Sequence, residues 1–120
     1  MKYVIHYHET EPPHYDLMLE VEETLLTWQL VPESLNDLLA GRKATARQIQ
    51  DHRKKYLTYE GPVSCDRGRV DLFDNGEYRV MKKTRNNTEY FFSGEKITGR
   101  LVFTPRRETF ILQYFGADCL

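Results

Sequence analysis

No run of apolar residues approaches the roughly 18 that a membrane-spanning helix needs, and the opening residues Met1 to His6 meet lysine and histidine too early for a secretory leader. A cytoplasmic protein without a membrane partner is the expectation. Cysteine is scarce: Cys65 and Cys119 lack C-x-x-C spacing and a nearby histidine, which argues against a zinc finger or redox pair and for two free thiols. Also missing are G-x-x-x-x-G-K-[ST], G-x-G-x-x-G and G-x-S-x-G, the markers of nucleotide-triphosphate, dinucleotide and serine-hydrolase sites. Repeats, low-complexity tracts and linkers are absent too. What remains is a 120-residue chain, 40% hydrophobic. That is enough for one core and too short for two stable ones, so a single domain over residues 1–120 is expected.

The net charge of −1 hides an uneven distribution. Residues 1–41 hold one basic and eight acidic side chains, whereas residues 42–69 hold eight basic and three acidic. The basic block comprises Arg42, Lys43, Arg47, Arg53, Lys54, Lys55, Arg67 and Arg69. Two readings stay open, a solvated charge run and a local face that attracts phosphate.

Most of the chain reads as short strands. Lys2–His8, Tyr15–Val21 and Thr24–Leu30 alternate apolar and polar residues, followed by a short helix around Leu35–Leu39 that opens at Pro32 and stops at Gly41. Ala44–Gln50 fits neither period. Beyond it, Val70–Phe73, Tyr78–Lys83, Glu89–Phe92, Ile97–Phe103 and Thr109–Phe115 read as strands, with an Asp74-Asn75-Gly76 hairpin turn between the first two. Seven or eight short strands with one or two short helices predict a mainly β fold, a compact closed or nearly closed barrel. The late aromatics Tyr78, Tyr90, Phe91, Phe92, Phe103, Phe110, Tyr114 and Phe115 are read as core rather than as a base-stacking platform.

The four histidines fall in two places, His6, His8 and His14 near the start and His52 inside the basic block. Residues i and i+2 of a strand share a face, so His6 stands beside His8, and His14 beside Asp16. Pairing the two strands gathers imidazoles and a carboxylate, a mixed nitrogen and oxygen set suited to Mn²⁺, Zn²⁺ or Fe²⁺. Ordinary hydrogen-bonded histidines are the alternative.

Tyr3-Val4-Ile5-His6-Tyr7-His8 followed by His14-Tyr15-Asp16-Leu17-Met18-Leu19-Glu20 resembles the opening motif of the ligase D 3′-phosphoesterase family. The likeness continues at Leu25-Leu26-Thr27-Trp28, Asp51-His52 with Tyr56, Tyr59-Glu60-Gly61, and Phe92 to Leu101. The resemblance implies a β-barrel that binds Mn²⁺, or Zn²⁺ or another divalent metal. Its implied task is to trim DNA 3′ ends in repair, removing a terminal ribonucleoside or a 3′ phosphate, with ligase and polymerase proteins as candidate partners. It implies His8, His14 and Asp16 as metal ligands and His52 and Tyr56 as the catalytic pair facing phosphate. His6, usually not histidine in the family, is expected to support the ligands from behind.

Two positions depart from the family pattern. Met18 stands where the family carries a phosphate-clamping arginine, and Glu33 where it carries a basic residue. The loop Pro62 to Gly68 is shorter than the family's. Arg42, Lys43, Arg47, Arg67 or Arg69 is expected to supply the missing phosphate contact from another strand at the barrel mouth. A barrel that has lost catalysis and binds nucleic-acid ends or a protein partner is the alternative.

Overall fold

Alternating apolar and polar side chains give each early strand one face for a core, and the chain uses this to wind a barrel. The computed structural model describes residues 1–116. Within them, strands β1 (Lys2–Glu9), β2 (His14–Val21) and β3 (Thr24–Leu30) form an antiparallel meander. Helix α1 (Pro32–Leu39) follows, with Pro at its start and Leu35 and Leu38 buried. Gly41, at φ +82°, ends the turn after it. The segment of ambiguous periodicity is strand β4 (Ala44–Arg53), leading into a 3₁₀ turn at Lys54–Leu57 and a two-residue strand β5 (Gly61–Pro62). Strands β6 (Arg69–Lys83), β7 (Thr88–Gly94), β8 (Thr98–Pro105) and β9 (Phe110–Gly116) complete the described chain.

Neighbouring strands run β1-β2-β3-β4-β9-β8-β7-β6, and β6 returns to β1, closing an all-antiparallel barrel with β5 appended to β6. Closure removes the unpaired edges of an open sheet. Inside the barrel pack Tyr3, Ile5, Leu17, Leu19, Trp28 and Phe92, among others. Trp28 meets Phe103 edge-on, and Tyr78 and Phe92 are buried, in keeping with the core reading of the aromatics. Phe91 and Phe115 belong instead to the outer wall, each capped by an arginine from a neighbouring strand, Arg79 and Arg100.

The Asp74-Asn75-Gly76 hairpin turn does not form. Strand β6 runs straight through it, pairing with β1 in its first half and with β7 in its second. Asp74 is the reason: its buried carboxylate accepts the Tyr3 hydroxyl (2.6 Å) and the backbone N–H groups of Lys96 (2.8 Å) and Ile97 (3.2 Å). Those bonds tie the β7–β8 turn to β1 over the intervening strand β6, and burial with the Asp74 bond holds the Tyr3 phenol well above its ordinary range. Gly76 is needed for closeness rather than for a turn, since a Cβ there would lie 2.2 Å from the Ser93 carbonyl oxygen.

Candidate functional site

Strand alternation sends Tyr3, Ile5, Leu17 and Leu19 inward and leaves Val4, His6, His8, His14, Asp16 and Met18 on the outside of the β1–β2 wall. The lower part of this outer face is apolar. Val4, Met18 and Leu25 form a second buried cluster beneath Tyr56, Leu57 and Leu72. The 3₁₀ turn and the segment that follows thus roof the outer wall, and a cavity of about 350 Å³ remains under them. The site lies on the barrel's flank and not at its mouth, contrary to expectation.

Strand register sets the ligand geometry. His6 pairs with Asp16, and His8 with His14, directly across β1 and β2. The His8 Nδ1 lies 3.1 Å from the His14 Nε2, which lies 3.5 Å from the Asp16 Oδ2. One donor atom from each of the three falls within 4.8 Å of the others. An outer hydrogen bond fixes the His8 ring. His8 Nε2 faces the Arg67 carbonyl, an acceptor only, so it carries the hydrogen and Nδ1 is left bare. The Pro12 backbone adds, after Asp16, to the raising of the His14 pKa. Backbone carbonyls behind imidazoles are the usual support of metal-ligating histidines. The Asp16 bond and charge raise the His14 pKa above its ordinary value, the mark of a position that favours a cation. The buried Asp16 Oδ1 has no partner, leaving acceptor capacity for one. The donor set therefore fits a divalent ion.

His6 is 1% exposed at the back of the cavity, and its Nε2 has no hydrogen-bond partner. Burial, opposed in part by the Asp16 charge, lowers its pKa to about 4, so it is neutral at physiological pH. His52 reaches the same cavity through a bulge: Thr27 pairs with Ile49 but Leu25 pairs with His52, so β4 spends one extra residue and turns His52 to the outer face. Its Nδ1 donates to the Gln50 carbonyl (3.1 Å) and the Thr27 hydroxyl (3.0 Å), the latter passing its own hydrogen to the Leu25 carbonyl. Only Nε2 is left to meet the cavity. Tyr56 stands edge-on to both His6 and His52, with ring centroids 6.3 and 6.0 Å away.

The basic candidates separate. Arg67 lines the cavity, held by the Ser64 carbonyl and hydroxyl. Arg47 lines an adjoining groove and bonds Gln29. Arg42 and Arg69 form exposed ion pairs with Asp37 and Asp71 and line neither space. Lys43 lines neither as well. The sequence reading missed Arg53 and Lys55, which do line the cavity. Both belong to the basic block, but only the bulge and the 3₁₀ turn aim them there. Cys65 is exposed and free, and Cys119 lies outside the described residues. Among the described residues, no helix is long and apolar enough to cross a membrane.

Comparison with known proteins identifies the family. Residues 6–105 match the family described as the DNA ligase D 3′-phosphoesterase domain. The multifunctional non-homologous end joining DNA repair protein LigD of Mycobacterium tuberculosis (strain H37Rv) is 34% identical over 83 residues, 67% of this chain. The corresponding protein of Pseudomonas aeruginosa is 28% identical over 108 residues, 83% of this chain. The matches span only 11% and 13% of those relatives' lengths. The chain belongs to the DNA ligase D 3′-phosphoesterase domain family.

Proposed function

We propose that the chain is a metal-dependent phosphoesterase that processes the 3′ ends of DNA, removing a terminal ribonucleoside or a 3′ phosphate. The observation that carries this reading is the convergence of His8, His14 and Asp16 beside a cavity lined by His52 and Tyr56. Those three residues would hold the ion, Mn²⁺ by family likeness and Zn²⁺ by donor chemistry. When bound, it supplies positive charge against the oxygens of a phosphoester. Arg67, Arg53 and Lys55 bring further positive charge to the same cavity.

His52 has the geometry of an acid–base group. Its Nδ1–H is committed to protein acceptors, which fixes the ring and leaves Nε2 to exchange a proton with substrate. Tyr56 offers a hydroxyl donor and shields His6 and His52 from solvent. Removing His52 is expected to slow turnover by about 10²- to 10³-fold. An end-labelled primer-template assay with Mn²⁺ checks this, and trimming by His52→Ala at the wild-type rate would overturn its role.

A second reading has its own support. Met18, at the position where the family carries its phosphate-clamping arginine, is fully buried in the apolar cluster under Tyr56 and offers phosphate no donor. On that reading the chain binds a nucleic-acid end or a protein partner without turnover, and metal-loaded protein would retain a 3′-phosphate primer and leave it unchanged.

A further inference from the structure

We propose that the groove beside the metal triad seats the leaving terminal nucleoside, with Glu33 reading its ribose hydroxyls; this rests on the 3′-end phosphoesterase reading above. The groove has a volume of about 680 Å³ and is lined by Pro12 and Pro13 on one segment and Val31 and Pro32 on another. That lies within the roughly 300–1,000 Å³ of small-molecule clefts. His14 also lines it, while His8 and Asp16, its neighbours in the triad, line the cavity. The triad therefore borders both spaces, through His8 and Asp16 on one side and His14 on the other, and the two differ in lining. On one side stand the cations Arg53, Lys55 and Arg67. On the other stand proline rings and Val31, which is 54% exposed although apolar, with a single cation, Arg47, whose guanidinium bonds Gln29.

A phosphodiester held at the triad has a substituent on each side of phosphorus. The polyanionic strand belongs with the cations, and a neutral nucleoside with the apolar walls. Hydrolysis fits this assignment: the oxygen of water bonds to phosphorus, the bond from phosphorus to O5′ breaks, and O5′ departs with a proton. The product released into the groove is then uncharged. Proline fixes its own φ, so two of the walls are pre-organised for a flat base.

Glu33 gives the groove its preference. A carboxylate only accepts hydrogen bonds, and a ribose diol offers it two donors, whereas a phosphate in the groove would be repelled. The Gln29 amide, oriented by Arg47 at 3.1 Å, adds a polar contact. Glu33 sits in the first turn of α1, where an acidic residue is favourable by a few tenths of a kcal/mol, so its replacement leaves the fold intact.

The test is a titration of isotope-labelled, Zn²⁺-loaded protein with adenosine and 2′-deoxyadenosine, followed by amide chemical shifts, beside the primer assay with Mn²⁺. Adenosine should move the amides of Gln29, Val31, Glu33 and Ala46 and leave those of Asp51 and Lys55 in place. It should bind about tenfold more tightly than the deoxynucleoside, a difference that Glu33→Gln removes. Val31→Asp should weaken both. In the primer assay Glu33→Gln should slow ribonucleoside removal and spare 3′-phosphate removal. Shifts confined to the cavity, no shifts, or equal binding of the two nucleosides would overturn the assignment even if trimming is intact. Nucleoside binding in the groove without any trimming would support the groove and overturn the phosphoesterase reading.

Discussion

His6 shows how much one buried imidazole governs. It is neutral because burial lowers its pKa to about 4, whereas in the unfolded chain it takes a proton near pH 6.5. Between those values the unfolded state binds more protons, so this contribution to stability is complete above pH 6.5 and is lost as pH falls toward 4. In the metal-free protein, urea unfolding at pH 7 and pH 5 should show a loss of about 2 kcal/mol attributable to this group. His6→Gln, which cannot titrate, should flatten that limb. An unchanged limb in the variant would show that His6 is not the acid-sensitive group. His14 has the opposite sign: its pKa is raised, so its proton stabilises the metal-free fold at low pH and that benefit fades as pH rises through the raised value.

At the scale of elements, the short loop between β5 and β6 does more than connect them. Gly68, at φ +79°, brings the loop so close to β1 that a Cβ would lie 1.8 Å from the Glu9 carbonyl oxygen. That approach puts the Arg67 carbonyl on His8 and the Arg67 side chain in the cavity. Gly68→Ala should therefore displace the loop and weaken Mn²⁺ binding about 10- to 100-fold, read by calorimetry, with the barrel's circular dichroism unchanged. Unaltered affinity would show that the His8–Arg67 bond does not organise the ligands. The first strands and α1 were legible in the sequence because their apolar spacing matches what the core demands. The Asp74-Asn75-Gly76 signal does not produce a turn because a hairpin signal is local, while Asp74 answers to Tyr3 on one neighbouring strand and to the β7–β8 turn on the other side. His52 and the triad could be named from sequence, but the β4 bulge that faces His52 toward them depends on pairing with β3. The basic residues separated for the same reason: whether Arg67 or Arg69 meets the cavity depends on the path of a loop, which composition does not encode.

At the scale of the whole molecule, the barrel divides its labour between faces. Its interior is filled by aromatic packing, and its outer β1–β2 wall carries the candidate site under a roof built around Tyr56. Met18 serves that roof. Reinstating arginine by Met18→Arg places a guanidinium in the Val4–Leu25 cluster, and destabilisation by about 2–4 kcal/mol is expected in urea unfolding. Wild-type stability would mean that the side chain escapes into the cavity, and trimming should then rise.

The most direct test is Mn²⁺-titrated trimming of a primer-template ending in a ribonucleotide or a 3′ phosphate, with wild type beside His14→Ala. Metal-dependent removal of either terminus by wild type, absent from His14→Ala, is the predicted result. No trimming by folded, metal-loaded wild-type protein, or equal trimming by both proteins, would contradict it.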